Sequence, residues 1–364
     1  MKSKIAILFA SFCLTIVTIG CGGYGSSQRS TSASGFRQTN LVSDTAGNAA
    51  HTDSTLINPW GIAFSPNEPF WIAANNSGRA KVYDPAGTPT IPLGVAIPTP
   101  SAGNEPSTPT GIVFNPVPED FKVSDTPAEF VFATEDGTVS TWAEINGNRP
   151  TVATMAIDNS ATNAVYKGIA ILTPDCCREF LALADFHNGS IATYDISFDL
   201  LATAGTFTDP NLPDGYAPFN IQQIGNQVFV TYALQNAGKH DPVIGAGNGI
   251  VNVFDQEGNF VRRFTSNGAL NAPWGIAKAS ANFGPFSNAI LIGNFGDGII
   301  NAFDSTTGTF LGSLKDQTGN VMSNPGLWAL TFRLDGLGDR NILYITAGAT
   351  NEDHGLFAAI SFHN

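Results

Sequence analysis

Two histidines stand beside acidic side chains: His187 lies two residues after Asp185, and His240 directly precedes Asp241. An imidazole next to a carboxylate can serve as a general base or as a metal ligand. A second set of candidates is oxygen-rich. Asn75, Glu135, Asp185, Asn220 and Asp297 fall in polar segments scattered through the chain. Glu135, Asp185, Asn220 and Asp297 brought to one point would hold a hard cation, and Ca²⁺ is the ion such oxygens suit. Asn188, Asn294, Asp241 and the indoles of Trp60, Trp274 and Trp328 complete the set able to contact a ligand. Each also has a structural reading. Asn, Asp and Gly tolerate left-handed backbone and build turns without any ligand, and the tryptophans can simply pack between sheets. No GxSxG, HExxH or EF-hand pattern occurs in the sequence, so no catalytic residue is assigned.

The segments that carry these residues recur. A Pro or Gly precedes a Gly-Ile-Ala-like strand start. A second strand ends in Ala or Gly, a polar turn containing Gly follows, and a third strand ends in an aromatic residue and Asp. Clear copies are Pro59-Trp60-Gly61-Ile62-Ala63 with Phe70-Trp71-Ile72-Ala73 and Val82-Tyr83-Asp84, and Pro273-Trp274-Gly275-Ile276-Ala277 with Ile290-Leu291-Ile292-Gly293 and Ala302-Phe303-Asp304. The equivalent anchor positions are 61, 111, 168, 220, 275 and 329, spaced 50 to 57 residues apart. Six repeats of that length, each with three or four short strands, predict an all-β, six-bladed β-propeller. The fourth repeat carries a long insertion containing Lys239-His240-Asp241. The sixth ends after its third strand, and the segment near Thr39–Val42 supplies the missing outer strand, closing the ring and removing free sheet edges. The recurrent Asp84, Asp195, Asp255 and Asp304 each end a strand before a turn, so a structural role is expected for them.

Propeller geometry puts two sets of loops on one face: those entering the innermost strands and those joining second to third strands. All the site candidates fall on them. The mouth of the central channel on this face is therefore the expected binding site, for a small molecule, a glycan or a protein.

Composition agrees with this reading. In 364 residues there are 38 Gly, 22 Pro and 26 Phe, and only 13% are charged, which suits many short buried strands and tight turns. The formal charge is −13, and there is no Lys/Arg cluster to displace phosphate counterions, so nucleic acid is not expected as a partner.

The chain opens with an address. Met1–Lys4 is basic, Ile5–Ile19 is apolar, and Gly20 precedes Cys21, the pattern of an exported protein whose Cys21 is lipidated. The expected organisation is a lipoprotein signal peptide over 1–20, a Gly/Ser-rich tether over 21–35 and the propeller over 36–364, as a monomer held to the membrane through Cys21 in the periplasm or at the cell surface. Cleavage without lipidation is the alternative. Cys176 and Cys177 are adjacent, and two readings stand: a redox-labile vicinal disulfide, or two small side chains in a turn.

The stretches Gln38–Gly47 (QTNLVSDTAG), Leu56–Pro66 (LINPWGIAFSP), Ala184–Asp195 (ADFHNGSIATYD), Phe207–Gln222 (FTDPNLPDGYAPFNIQ), Gly293–Asp304 (GNFGDGIINAFD) and Gly326–Phe332 (GLWALTF) resemble the uncharacterised secreted NHL-like β-propeller proteins of bacteria, many of which carry an exosortase sorting tail. The resemblance runs from about Phe36 to Phe362. It implies a six-bladed propeller and export, and names a fold rather than a reaction. This chain lacks a C-terminal sorting helix; Cys21 would supply the anchor instead. Function is expected to be that of a binding or scaffold module at the bacterial cell envelope rather than an enzyme, with a metal-assisted hydrolase of lactonase type as the alternative.

Overall fold

The computed structural model describes residues 34–364 apart from 104, 175–177, 202–206 and 334. The expectations for Cys21, the signal segment, most of the tether and Cys176–Cys177 lie outside the described residues.

Six sheets, antiparallel apart from one short parallel pair of Val42–Ser43 with His51–Thr52, are arranged around one axis. Their innermost strands are Pro59–Ala63, Pro109–Phe114, Tyr166–Leu172, Tyr216–Ile224, Pro273–Lys278 and Leu327–Phe332. These are the six recurrent phrases of the sequence. The second strands Phe70–Ala74, Phe130–Thr134 and Ile290–Asn294 are buried at every position. A strand covered on both faces by neighbouring blades has no reason to alternate apolar and polar residues, which explains the continuous apolar runs and the low charge content. Trp71, Phe130, Phe132 and Trp142 fill the seam between the first two blades. Phe283, Leu327, Phe332 and Ile345 fill the one between the last two.

The anchor glycines of the repeats answer a spacing requirement. A Cβ on Gly61 would stand 2.8 Å from both Ile112 N and Thr110 O of the next blade, closer than real Cβ atoms approach backbone. The inner strands converge on the axis, and only a residue without a side chain lets them do so there.

Closure follows the expected route. Gly35–Ser43 pairs antiparallel with Leu356–His363 in the register Phe36↔Phe362 and Gln38↔Ile360, with an irregularity between Asn40 and Val42. Two side-chain clips hold this seam. Asp53, after the closing strand, accepts from Lys81 Nζ and Tyr83 Oη of the first blade, both at 2.9 Å. Asp44 accepts from Gly355 N at 2.9 Å and pairs with His354 Nδ1 at 2.7 Å. The strand-ending aspartates act as turn residues. Asp84 Oδ1 accepts from Ala86 N and Thr88 N (2.9 and 2.8 Å), Asp195 from Ser197 N and Asp199 N, Asp255 from Glu257 N and Asn259 N, and Asp304 from Thr306 N and Thr307 N.

Candidate functional site

The channel is plugged. Each repeat sends the residue before its anchor toward the axis, and at three of the six positions that residue is Trp. Trp60 stacks on Trp328 with ring centroids 3.5 Å apart, and Trp274 meets both edge-on. Phe295 stacks on Trp328 at 4.3 Å, and Phe219 and Phe186 extend the cluster. Trp60, Trp274 and Trp328 are 2%, 4% and 1% exposed, so none presents an open ring face to a ligand. Their indole N–H groups are spent inside the fold in two cases: Trp328 Nε1 donates to Asn58 Oδ1 and Trp274 Nε1 to Lys167 O, both at 2.9 Å. On the side of the plug away from the turns, a cavity of ≈230 Å³ is lined by Gly61, Gly111, Ile169, Asn220 and Gln222 among others. It is mostly backbone and aliphatic side chain.

On the turn side, five blades bring polar groups together over the plug. The third blade contributes Lys167, from the position where four of the other five blades carry Trp or Phe. It is 1% exposed, and its ammonium is ion-paired to Glu135 of the second blade, 3.8 Å from Asp241 Oδ1 of the fourth, and 5.2 Å from the centre of the Trp60 ring. A buried ammonium is tolerated only with such partners. The second oxygen of Glu135 accepts from Asn75 Nδ2 at 2.9 Å. Asn75 opens a single turn of 3-10 helix after the second strand of the first blade. Asn58, in the loop entering that blade, donates to Asn76 Oδ1 at 3.2 Å, and Asn76 Nδ2 donates to Glu352 O at 2.8 Å.

The fourth blade's insertion supplies His240 and Asp241. His240 Nδ1 lies 2.8 Å from Asp241 Oδ1. Asn236 holds both: its Oδ1 accepts from His240 N (3.1 Å) and its Nδ2 donates to Asp241 Oδ2 (3.3 Å). The mutual hydrogen bond raises the imidazole pKa and lowers that of the carboxyl. From the sixth blade comes Glu352, at the end of the run Thr350-Asn351-Glu352, all at positive φ. Burial, and then the negative charges of Glu135 and Asp241, push its carboxyl up to about 7, while Lys167 and His240 oppose the rise.

Of the candidates from sequence, Asn75, Glu135, His240 and Asp241 come together. Ligand atoms of Glu135, His240 and Asp241 all lie within 4.8 Å of one another, the one such group of three or more His, Cys, Asp or Glu among the described residues. The quartet Glu135, Asp185, Asn220 and Asp297 is engaged piecemeal. Asp185 accepts from Val165 N, Asn188 N and Asn188 Nδ2, closing its own turn. Asn220 bonds Trp274 O and Ile221 N beside the lower cavity. Asp297 accepts from Asn271 and Asn294, both at 3.3 Å, and from Ile299 N. His187 is half-buried, and its carbonyl accepts from Gln235 Nε2.

Asn58, Asn76 and Glu352 lie on loops that the sequence assigns to this face but were not among the candidates, and Lys167 escaped notice altogether. For Lys167 a signal existed. In the ring of residues preceding the anchors (Trp60, Thr110, Lys167, Phe219, Trp274, Trp328), it is the single charged member.

No protein-family model matches the chain. It is 33% identical over 331 residues to the uncharacterised protein R648 of Acanthamoeba polyphaga mimivirus, an alignment covering 88% of this chain and 78% of that one. The chain belongs to the family of that viral protein. A second mimivirus protein, L690, is 31% identical over 336 residues, so this family includes more than one viral member. Among solved structures, the soluble aldose sugar dehydrogenase of Escherichia coli superposes with a TM-score of 0.55 at 12% identity, covering 90% of this chain and 99% of that one. A streptogramin B lyase superposes at 0.51 and 13%, covering 90% and 98%. At such identities the likeness concerns the six-bladed fold, which both match along nearly their whole length.

Proposed function

We propose that this chain is an exported, lipid-anchored propeller that acts as a binding module at the bacterial cell envelope, and that its ligand docks on the turn face over Asn76, Glu135, His240, Asp241 and Glu352. The observation behind this reading is convergence. Five blades send polar side chains to one point above a sealed aromatic floor. Stability gives little reason for this. Replacing a buried ion pair by packed apolar groups is often neutral or stabilising, and Trp or Phe fills the place of Lys167 in four of the other five blades. A fold that sinks an ammonium there, and leaves Asp241 and His240 open to solvent, keeps a polar site at the cost of a simpler plug. The ligand class that suits it is small and polar, such as a glycan or a hydroxylated metabolite, because amides, carboxylates and an imidazole in one cup both donate and accept.

Export rests on Lys2, Lys4, the apolar run 5–19 and Gly20-Cys21. Cys21→Ser should move the protein from the membrane fraction to the soluble fraction and abolish labelling by a radioactive fatty acid. Unchanged labelling would refute the anchor. For the binding face, a thermal-shift screen of glycans and metabolites against the wild type and Asp241→Ala should return ligands that stabilise only the former. Equal stabilisation of both by every hit would refute the site.

A further inference from the structure

We propose that Glu135, His240 and Asp241 form a binding site for one divalent transition-metal ion, with Zn²⁺ the best matched. This rests on reading the turn face as the binding face, and it names a cofactor for that face.

The donor set comes first. One imidazole and two carboxylates lie with ligand atoms within 4.8 Å of one another. Nitrogen with carboxylate oxygen favours Zn²⁺ or its neighbours over Ca²⁺, which prefers an all-oxygen shell of six to eight ligands. The closest pair, His240 Nδ1 and Asp241 Oδ1, is 2.8 Å apart. Ligands at about 2.0–2.2 Å from a tetrahedral Zn²⁺ are separated by roughly 3.4 Å, so this pair needs only a small opening. Glu135, within 4.8 Å of both, has to close in by at most about 1.4 Å to reach the same spacing.

Supporting groups already orient the ligands, as metal sites require. Asn75 Nδ2 holds Glu135 Oε2 at 2.9 Å, and Asn236 holds the backbone of His240 and the second oxygen of Asp241. The ligands come from two blades, one rigidly placed between core strands and one on the insertion. An ion would therefore tie the insertion to the propeller body.

The fold also shows that these carboxylates share a cation. Lys167 Nζ sits on Glu135 and 3.8 Å from Asp241. It is a built-in competitor: its charge satisfies part of what a metal would, and repels an arriving ion.

The test is calorimetric titration of the full chain, stripped with chelator, with Zn²⁺ alone. The wild type should take up one equivalent. His240→Ala, an exposed change that spares the fold, should weaken binding at least tenfold. Lys167→Met should strengthen it at least tenfold, and Glu135→Gln in that background should reverse the gain. Should Lys167→Met fail to fold, the wild type against His240→Ala decides alone. Absence of saturable binding by the wild type, or binding that His240→Ala leaves unchanged, overturns the inference. A ligand from the screen that still requires Asp241 in a protein that binds no Zn²⁺ would remove the metal while leaving the binding face intact.

Discussion

Replacing Glu352 by Gln should stabilise the protein at alkaline pH and do nothing at acid pH. The side chain lies within the cluster and is largely shielded, and its carboxyl rises from 4.5 to about 7 because burial and the neighbouring carboxylates of Glu135 and Asp241 disfavour its charge. A raised carboxyl pKa means that the folded state binds its proton more tightly than the unfolded chain does. Stability therefore falls as pH climbs from about 4.5 through about 7, and the full penalty is present above that range. At about 1.4 kcal/mol per pH unit, the rise from 4.5 to about 7 corresponds to roughly 3.5 kcal/mol at pH 8.5, of which solvent screening of the half-buried side chain leaves about 2–3 kcal/mol. Gln keeps the shape and the neutral form. Thermal unfolding followed by circular dichroism at pH 5 and pH 8.5 measures the difference. Glu352→Gln should lie within about 1 kcal/mol of the wild type at pH 5 and exceed it by about 2–3 kcal/mol at pH 8.5. An equal offset at the two pH values, or a wild type more stable at pH 8.5, would show that Glu352 is not held in the field of the cluster.

Two other perturbations test the parts around it. Lys167→Met leaves Glu135 without its counter-ion in a nearly closed site, and a loss of about 3–5 kcal/mol in denaturant unfolding is expected; the accompanying Glu135→Gln change should recover most of it, and failure to do so would place the cost elsewhere. Asp44→Ala removes the partner that raises the pKa of His354 at the closing seam. The imidazolium pair is complete below the unfolded histidine pKa and fades as pH rises through the raised one, so the melting temperature should drop more at pH 5.5 than at pH 8.5; an identical drop at both would mean that the clip works through Gly355 N alone.

The propeller was legible in the sequence because its determinants are local and repeated. The glycines at 61, 111, 168 and 275 mark where inner strands converge, and the aspartates at 84, 195, 255 and 304 mark where outer turns begin. The missing strand of the sixth repeat and the surplus strand at Thr39–Val42 give the closure by simple matching. The site was half legible. Glu135, His240, Asp241 and Asn75 stood out as polar residues on the right loops. Which of the many such residues meet could not be read, because the meeting is between blades, through contacts 32 to 276 residues apart in sequence. Asp185 and Asp297 carry the same residue type in the same kind of turn, yet their own amides and nearby asparagines consume them. Lys167 was hidden by its repeat, since it sits inside a strand phrase whose neighbours are apolar, although its charge broke the pattern. Glu352 matters through burial, which no local pattern reports.

Hydrogen exchange by mass spectrometry, on the full chain with and without the strongest stabiliser from the ligand screen, tests most directly whether the five-blade cluster is the binding site. Protection should concentrate in 236–241 and 350–354, with the lower ends of the inner strands, such as 276–278 and 330–332, unchanged. Protection confined to those lower ends or to the outer strands, with the turn face unaffected, would contradict the account.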